Sequence, residues 1–276
     1  MAYKTIIVHI DPGKNSEKRL EAAINLAREY DAYLVGLYVF STYIPPGYIM
    51  AHMGGEIQAA QNKIAVESMS RAEEAFRKQT SAAGLDNIEW QTAYDDPVHV
   101  LSSHSQYADL VVIGQSDASD DSGVAMDLPE RLVLTAGRPV LILPKTGDFP
   151  SIGKRILVAW NASQEATRAV ANAIPFLKAA DSVFVMAVKS KTSKSDNFRS
   201  ENMVRYLERL GIRAELKDIH GTNVDVGNEL LSSASDLSAD LIVMGGYGHS
   251  RLREWVLGGA TRTILDAMTI PVLMSH

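Results

Sequence analysis

The chain has 276 residues, a hydrophobic share of 46%, a charged share of 22% and a formal net charge of −6. The length predicts two domains of ordinary size, and the composition is that of a globular protein with ample core. The acidic balance argues against broad nucleic-acid binding, zero cysteines exclude disulfides and thiolate chemistry, and no apolar run reaches the roughly 18 residues of a membrane helix.

The start, Met-Ala-Tyr-Lys-Thr, enters a strand at once without a signal-peptide pattern, which together with the lack of cysteine predicts a cytoplasmic protein. Strands are then predicted at 4–10, 32–40, 88–93, 109–114 and 139–143, and helices at 16–30, 57–83, 97–106 and 127–136. Runs such as Leu110-Val-Val-Ile113 are apolar throughout, as strands are when helices cover both faces of a parallel sheet. Between the second strand and the next helix, Ser41 to Glu56 contains Pro45-Pro46-Gly47 and Gly54-Gly55, which break any regular element. This segment, with Tyr43, Tyr48, Ile49 and Met50, reads as a lid, a partner surface or a long loop. Lys145 to Lys154, with Gly147, Pro150 and Gly153, reads as a linker.

Beyond the linker the pattern starts again. Strands are predicted near 155–160, 182–189, 213–218, 240–245 and 271–274, and helices near 163–179, 195–210, 223–236 and 251–267. The first of these helices carries an apolar stripe, Ala166, Ala169, Val170, Ala173, Ile174 and Leu177, at helical spacing. Ala108-Asp-Leu-Val-Val-Ile-Gly114 matches Ala239-Asp-Leu-Ile-Val-Met-Gly245, and Thr5-Ile-Ile-Val-His-Ile-Asp11 matches Arg155-Ile-Leu-Val-Ala-Trp-Asn161. The chain is therefore a tandem duplication. Asp11 and Gly114 stand 103 residues apart while Asn161 and Gly245 stand 84 apart, so the first copy carries the insertion. The fold expected is α/β, two tandem five-stranded parallel-sheet Rossmann-like domains at 1–149 and 150–276, with ligands at the carboxyl ends of the strands. The strands Pro139–Leu143 and Pro271–Met274 are placed to pair within the chain as an intramolecular pseudo-dimer, because either alone would be an exposed apolar edge. Further association into a homodimer stays open.

The stretch Ile242-Val-Met-Gly-Gly-Tyr-Gly-His-Ser-Arg-Leu-Arg-Glu-Trp-Val-Leu-Gly-Gly-Ala-Thr261 concentrates the chemistry. A strand ends in Gly245, Gly248 follows, and Gly258-Gly259 opens the next helix. Glycine lets backbone N–H groups approach a ligand closely, and a helix N-terminus favours negative charge, so the pattern suits a phosphate chain. Turns and a helix cap would need the same glycines.

With its spacing Gly245-x2-Gly248-x9-Gly258, the segment resembles the nucleotide loop of the universal stress protein family, and both copies follow that family's strand–helix order. The resemblance implies an adenine nucleotide alpha hydrolase-like fold and a bound adenine nucleotide: ATP, or else ADP or AMP. It implies phosphate contacts from Gly245, Gly248, Gly258, Gly259, Ala260 and Thr261, with Met244 closing the strand before them. Gly259 departs from the pattern, which has serine or threonine there, and Thr261 supplies a hydroxyl two residues on. At the end of the first strand the family has an aspartate facing the nucleoside. The first copy keeps it as Asp11 and the second has Asn161, preceded by Ala159 and Trp160. Trp160 is better explained as core, and Asn161 serves equally as a helix cap. Val188 stands where the family packs the base, and an ordinary core valine would also stand there. His249 and Arg251 lie in the loop, within reach of phosphate or ribose, whereas Arg253 reads as surface charge.

In the first copy Asp117 replaces Gly248, and Asp120, Asp121 and Asp127 follow. Residues 1–149 carry 12 basic and 20 acidic side chains, and residues 150–276 carry 15 and 13, so charge also steers an anion to the second domain. No nucleophile elbow, phosphate-loop lysine or metal-ligand spacing is present, so hydrolysis would be slow at best. The functional expectation is ATP binding in the second domain, acting in stress response or regulation rather than catalysis. The alternatives are a nucleotide-free interaction scaffold with a vestigial site, or a slow ATPase or adenylate-using enzyme.

Overall fold

The computed structural model describes residues 2–40, 55–117, 127–187, 195–218, 225–247 and 259–276; at 55–62, 195–199 and 218 it describes the backbone alone. The first half runs β1 (Thr5–Ile10), α1 (Ser16–Tyr30), β2 (Tyr33–Phe40), α2 (Gly55–Ala82), β3 (Ile88–Tyr94), α3 (Pro97–Ser105), β4 (Leu110–Gly114), α4 (Leu128–Thr135) and β5 (Val140–Leu143). The second runs β6 (Arg155–Trp160), α5 (Gln164–Asn172), α6 (Ile174–Ala179), β7 (Ser182–Ala187), α7 (Ser195–Arg209), β8 (Ala214–Asp218), α8 (Val226–Asp236), β9 (Leu241–Gly245), α9 (Gly259–Ala267) and β10 (Val272–Ser275).

All ten strands form one sheet in the order β3-β2-β1-β4-β5-β10-β9-β6-β7-β8. Within each half every pairing is parallel; the halves join where β5 meets β10 antiparallel, with Leu141 opposite Leu273. The pairing expected of the two terminal strands is present, so neither is left as an apolar edge. Strand order reverses between β1 and β4 in the first half and between β6 and β9 in the second. These are the switch points at which α/β sheets leave a crevice.

Helices cover both faces. Ile6, Val8, Leu110, Val112, Ile156, Val158 and Val243 look into one layer of core, and Ile7, Val111, Ile113, Leu157, Ile242 and Met244 into the other. Both layers run through the β5–β10 junction. Tyr30 packs edge-on against Tyr3 and Phe176, which lie tilted to each other, with centroids 5.2–5.6 Å apart, and the Tyr3 hydroxyl donates to the Asn172 carbonyl at 2.7 Å, so aromatic and polar contacts also cross between the halves.

One helix differs from expectation. The segment predicted as a single helix over 163–179 is two, broken at Ala173. Pro175 lacks the N–H that would bond to Ala171, and its ring crowds that carbonyl. The apolar stripe survives the break because Phe176 and Leu177 remain buried with Ala166, Ala169 and Val170.

Candidate functional site

At the carboxyl end of β6 the chain turns sharply. Asn161 is exposed, and its Oδ1 accepts from the Ser163 N–H at 3.1 Å while Ala162 adopts φ +59°. Ser163 then caps α5, its hydroxyl accepting from the Ala166 N–H at 3.1 Å. Asn161 therefore builds the turn rather than the cap, and its side chain stays at the surface. The first copy has the equivalent side-chain bond, Asp11 Oδ1 accepting from the Gly13 N–H at 2.8 Å, but Pro12 stands where Ala162 has its positive φ. Trp160 is buried in the core, with its indole N–H unpaired among the described residues, which matches its expected core role. Ala159 pairs in register with Met244, both buried.

Gly245 ends β9 against the start of α5. A Cβ there would stand 2.5 Å from the Ala166 nitrogen and 2.7 Å from the Glu165 carbonyl carbon. Both are backbone atoms and cannot swing aside. Gly245→Ala is therefore expected to cost about 1–3 kcal/mol through forced backbone shifts, measured as a lowered urea midpoint; an unchanged midpoint would show that α5 can retreat freely.

Gly246 is held on three sides. Its N–H donates to the Ser275 carbonyl at 2.9 Å, its carbonyl faces His276 Nδ1 at 3.1 Å, and a Cβ would meet Val133 of α4 at 2.6 Å. Tyr247 follows at φ +60°, and its N–H points to Thr261 Oγ1 at 3.5 Å. Burial, then the nearby Glu130 carboxyl, push the Tyr247 phenol above its ordinary pKa, and burial likewise raises Glu130. Thr261 lies in the first turn of α9, only 4% exposed, whereas Gly259 is exposed with nothing among the described residues within 4 Å of a Cβ built on it. The strand end Gly245–Tyr247 and the helix start Gly259–Thr261 thus come together, as the glycine spacing predicts. The Thr261 hydroxyl, expected on a phosphate, accepts from the Tyr247 N–H and keeps its hydrogen to donate. Val188, Gly248, His249, Arg251 and Gly258 lie outside the described residues, as does the insertion from Ser41 through Gly54.

Two contributors are not evident from the sequence. Asp225 caps α8 through the Gly227 N–H at 2.9 Å and accepts from Thr263 Oγ1 at 3.0 Å, tying α8 to α9. Gln115 of the first half, where the second copy has Gly246, donates from Nε2 to the Leu265 carbonyl at 2.7 Å and accepts from the Lys145 N–H at 3.0 Å. It caps the far end of the helix whose first turn meets Tyr247. An Asp-x-Gly at a helix start was a readable signal for the first; nothing local marks the second, because its partner is 150 residues away.

The first-half crevice is built differently. Arg19 rises from α1, donating from Nε to the His9 carbonyl at 2.7 Å and from Nη2 to Asp11 Oδ2 at 2.5 Å and Ser16 Oγ at 3.3 Å. Arg19, Asp11 and His9 are all buried. Burial alone would raise the Asp11 pKa, but Arg19, then His9 and the Gly13 amide, hold it below the usual carboxylate range. Burial lowers His9 to about 4. At neutral pH its ring is therefore uncharged, and its 3.6 Å approach to Asp11 is not an ion pair.

None of the described helices is long and apolar enough to cross a membrane. The model of the universal stress protein family matches this chain twice, over residues 2–144 and 153–276. Universal stress protein Slr1230 of Synechocystis is 27% identical over 146 residues, 52% of this chain and 49% of that protein. Universal stress protein MJ0577 of Methanocaldococcus jannaschii is 30% identical over 91 residues, 33% of this chain and 54% of that one. The chain thus spans about half the length of the curated relatives it matches. Among solved structures, a universal stress protein from Archaeoglobus fulgidus superposes with a TM-score of 0.69 at 19% identity, over 98% of this chain and 97% of that one, a likeness of fold. With the family model matched in both halves and the strand order repeated in each, this chain belongs to the universal stress protein family, in tandem two-domain form.

Proposed function

We propose that the chain binds an adenine nucleotide, ATP first among them, at the carboxyl ends of β6 and β9 in a C-terminal domain of residues 150–276. Residues 1–149 form a copy that has lost the loop. The observation that carries the reading is the meeting of Gly245–Tyr247 with the first turn of α9. The first amides of a helix have no intrahelical acceptor and are free to bind an anion. Gly259, Ala260 and the loop glycines Gly248 and Gly258 would face the phosphates, with His249 and Arg251 beside them. Ala159, Asn161, Val188 and Met244 would border the nucleoside, with Trp160 packed behind. Binding would alter association with a protein partner in a cytoplasmic stress response rather than drive chemistry.

The test is the nucleotide content of freshly purified protein, released by denaturation and resolved by chromatography with mass detection. Near-stoichiometric ATP or ADP is expected, and Gly248→Asp, which copies Asp117 of the first half, is expected to abolish it. Retained affinity in that variant would sink the assignment. A second reading, a nucleotide-free interaction scaffold, is favoured by the burial of Thr261. An empty protein that also ignores added ATP in calorimetry would establish it. Phosphate or pyrophosphate release would instead mark a slow ATPase or an adenylate-using enzyme.

A further inference from the structure

The crevice between β1 and β4 is filled by the protein itself. The two copies align at a constant offset: Asp11 with Gly13 and Asn161 with Ser163 make the same side-chain-to-backbone bond. Leu20 aligns with Val170 and Ala23 with Ala173, all buried on the matching helix faces. In this register His9 aligns with Ala159 and Arg19 with Ala169. Both positions are alanine in the second copy and large nitrogen-bearing side chains in the first.

Their placement gives the difference a consequence. Arg19 Nη1 stands 2.5 Å from where a Cβ on Gly114 would be, while Nε and Nη2 reach the end of β1. The guanidinium therefore bridges β1 and β4 at the switch point, the place where a doubly wound sheet receives a ligand. His9 fills the space beneath, 1% exposed, with neither ring nitrogen hydrogen-bonded among the described residues. An imidazole buried without partners carries a desolvation cost that a purely structural residue, such as the alanine of the second copy, would avoid. Asp11 is buried and committed to Arg19, whereas Asn161 is exposed. In the second copy Ala169 offers no polar atom, and Gly245 instead lies directly against the α5 backbone.

We infer that His9 and Arg19 are an internal plug that closes the first-half crevice to ligand. Which copy accepts a nucleoside is then decided at the position pairs His9/Ala159 and Arg19/Ala169, besides the glycine loop. The inference rests on the crevice reading of the proposed function and names what distinguishes the two copies. A guanidinium paired to a carboxylate and a buried imidazole thus stand at the switch point, where the second copy has two alanines.

The experiment copies the second crevice into the first. The full chain carrying His9→Ala, Asp11→Asn and Arg19→Ala is titrated with adenosine, which needs no phosphate loop, at concentrations around a Kd of about 1 mM. Bound adenosine per chain is compared with the wild type. An increase of one equivalent is expected, from one to two if the second domain binds nucleoside and from zero to one if it does not. The increment tests the plug and the baseline tests the proposed function, so their failures are distinguishable. A folded variant with no increment overturns the plug. Should the triple variant not fold, Arg19→Ala alone is melted with low millimolar guanidinium chloride. Stabilisation by several degrees, absent in the wild type, supports a refillable crevice, and its absence overturns the proposal.

Discussion

Arg19→Met is expected to destabilise the chain by about 3–5 kcal/mol, because it leaves the buried Asp11 carboxylate without its cation. The substitution keeps an unbranched stem at this position of α1, so the loss reports the charge and its hydrogen bonds rather than volume. At roughly 2–4 °C per kcal/mol for a chain of this order of size, the melting temperature should fall by about 10 °C. Asp11→Asn combined with Arg19→Met should recover most of the loss, since neither charge then remains buried. The pH dependence has a defined sign. Asp11 titrates below its ordinary value in the folded state, so its stabilisation is present above the unfolded carboxylate pKa of about 3.9 and disappears as pH falls through the folded value. The gap between wild type and Arg19→Met should therefore be full at pH 7 and close in acid. Urea unfolding at several pH values measures it, and a neutral Arg19→Met at pH 7 would show that the ion pair contributes nothing net.

The second large effect belongs to His9. Its folded pKa is about 4, lowered by burial, against 6.5 for the free side chain; Asp11 pulls it the other way without prevailing. Above pH 6.5 both folded and unfolded chains hold a neutral ring. Between 6.5 and 4 the unfolded chain takes up a proton that the folded chain refuses, so stability falls as pH falls, by up to about 3 kcal/mol. Below 4 the slope from this residue ends. His9→Ala should flatten the urea midpoint between pH 6.5 and 4.5 relative to wild type, at the cost of a cavity that lowers stability at pH 7. Parallel slopes in the two proteins would place the acid sensitivity elsewhere.

The repeat and the strand–helix alternation were legible because they are carried by local patterns. Continuous apolar runs such as Leu241–Gly245 have one stable use in a parallel sheet, and glycines after a strand have few. Pro175 broke a helix that its apolar stripe alone predicted as one, although proline's missing donor was itself a readable signal. Asn161 was legible as a helix cap or a site residue; the structure gives the cap to Ser163 and binds Asn161 Oδ1 to the Ser163 N–H two residues on.

What the sequence alone determined is therefore the duplication, the fold class of each copy and the absence of the Gly-x2-Gly-x9-Gly spacing from the first, all carried by spacing and composition. The tertiary structure decided the rest. Gln115 became a cap on α9 in the other half, Asp225 a tie between two helices, and His9, Asp11 and Arg19 a buried cluster in a crevice. Arg19 sits within the core face of a helix and reads in sequence as an interruption of it; only the packing of α1 on β1 and β4 shows where its charge goes. Periodicity reports which face of an element is buried, but a polar group's partner depends on elements brought together from far apart in the chain.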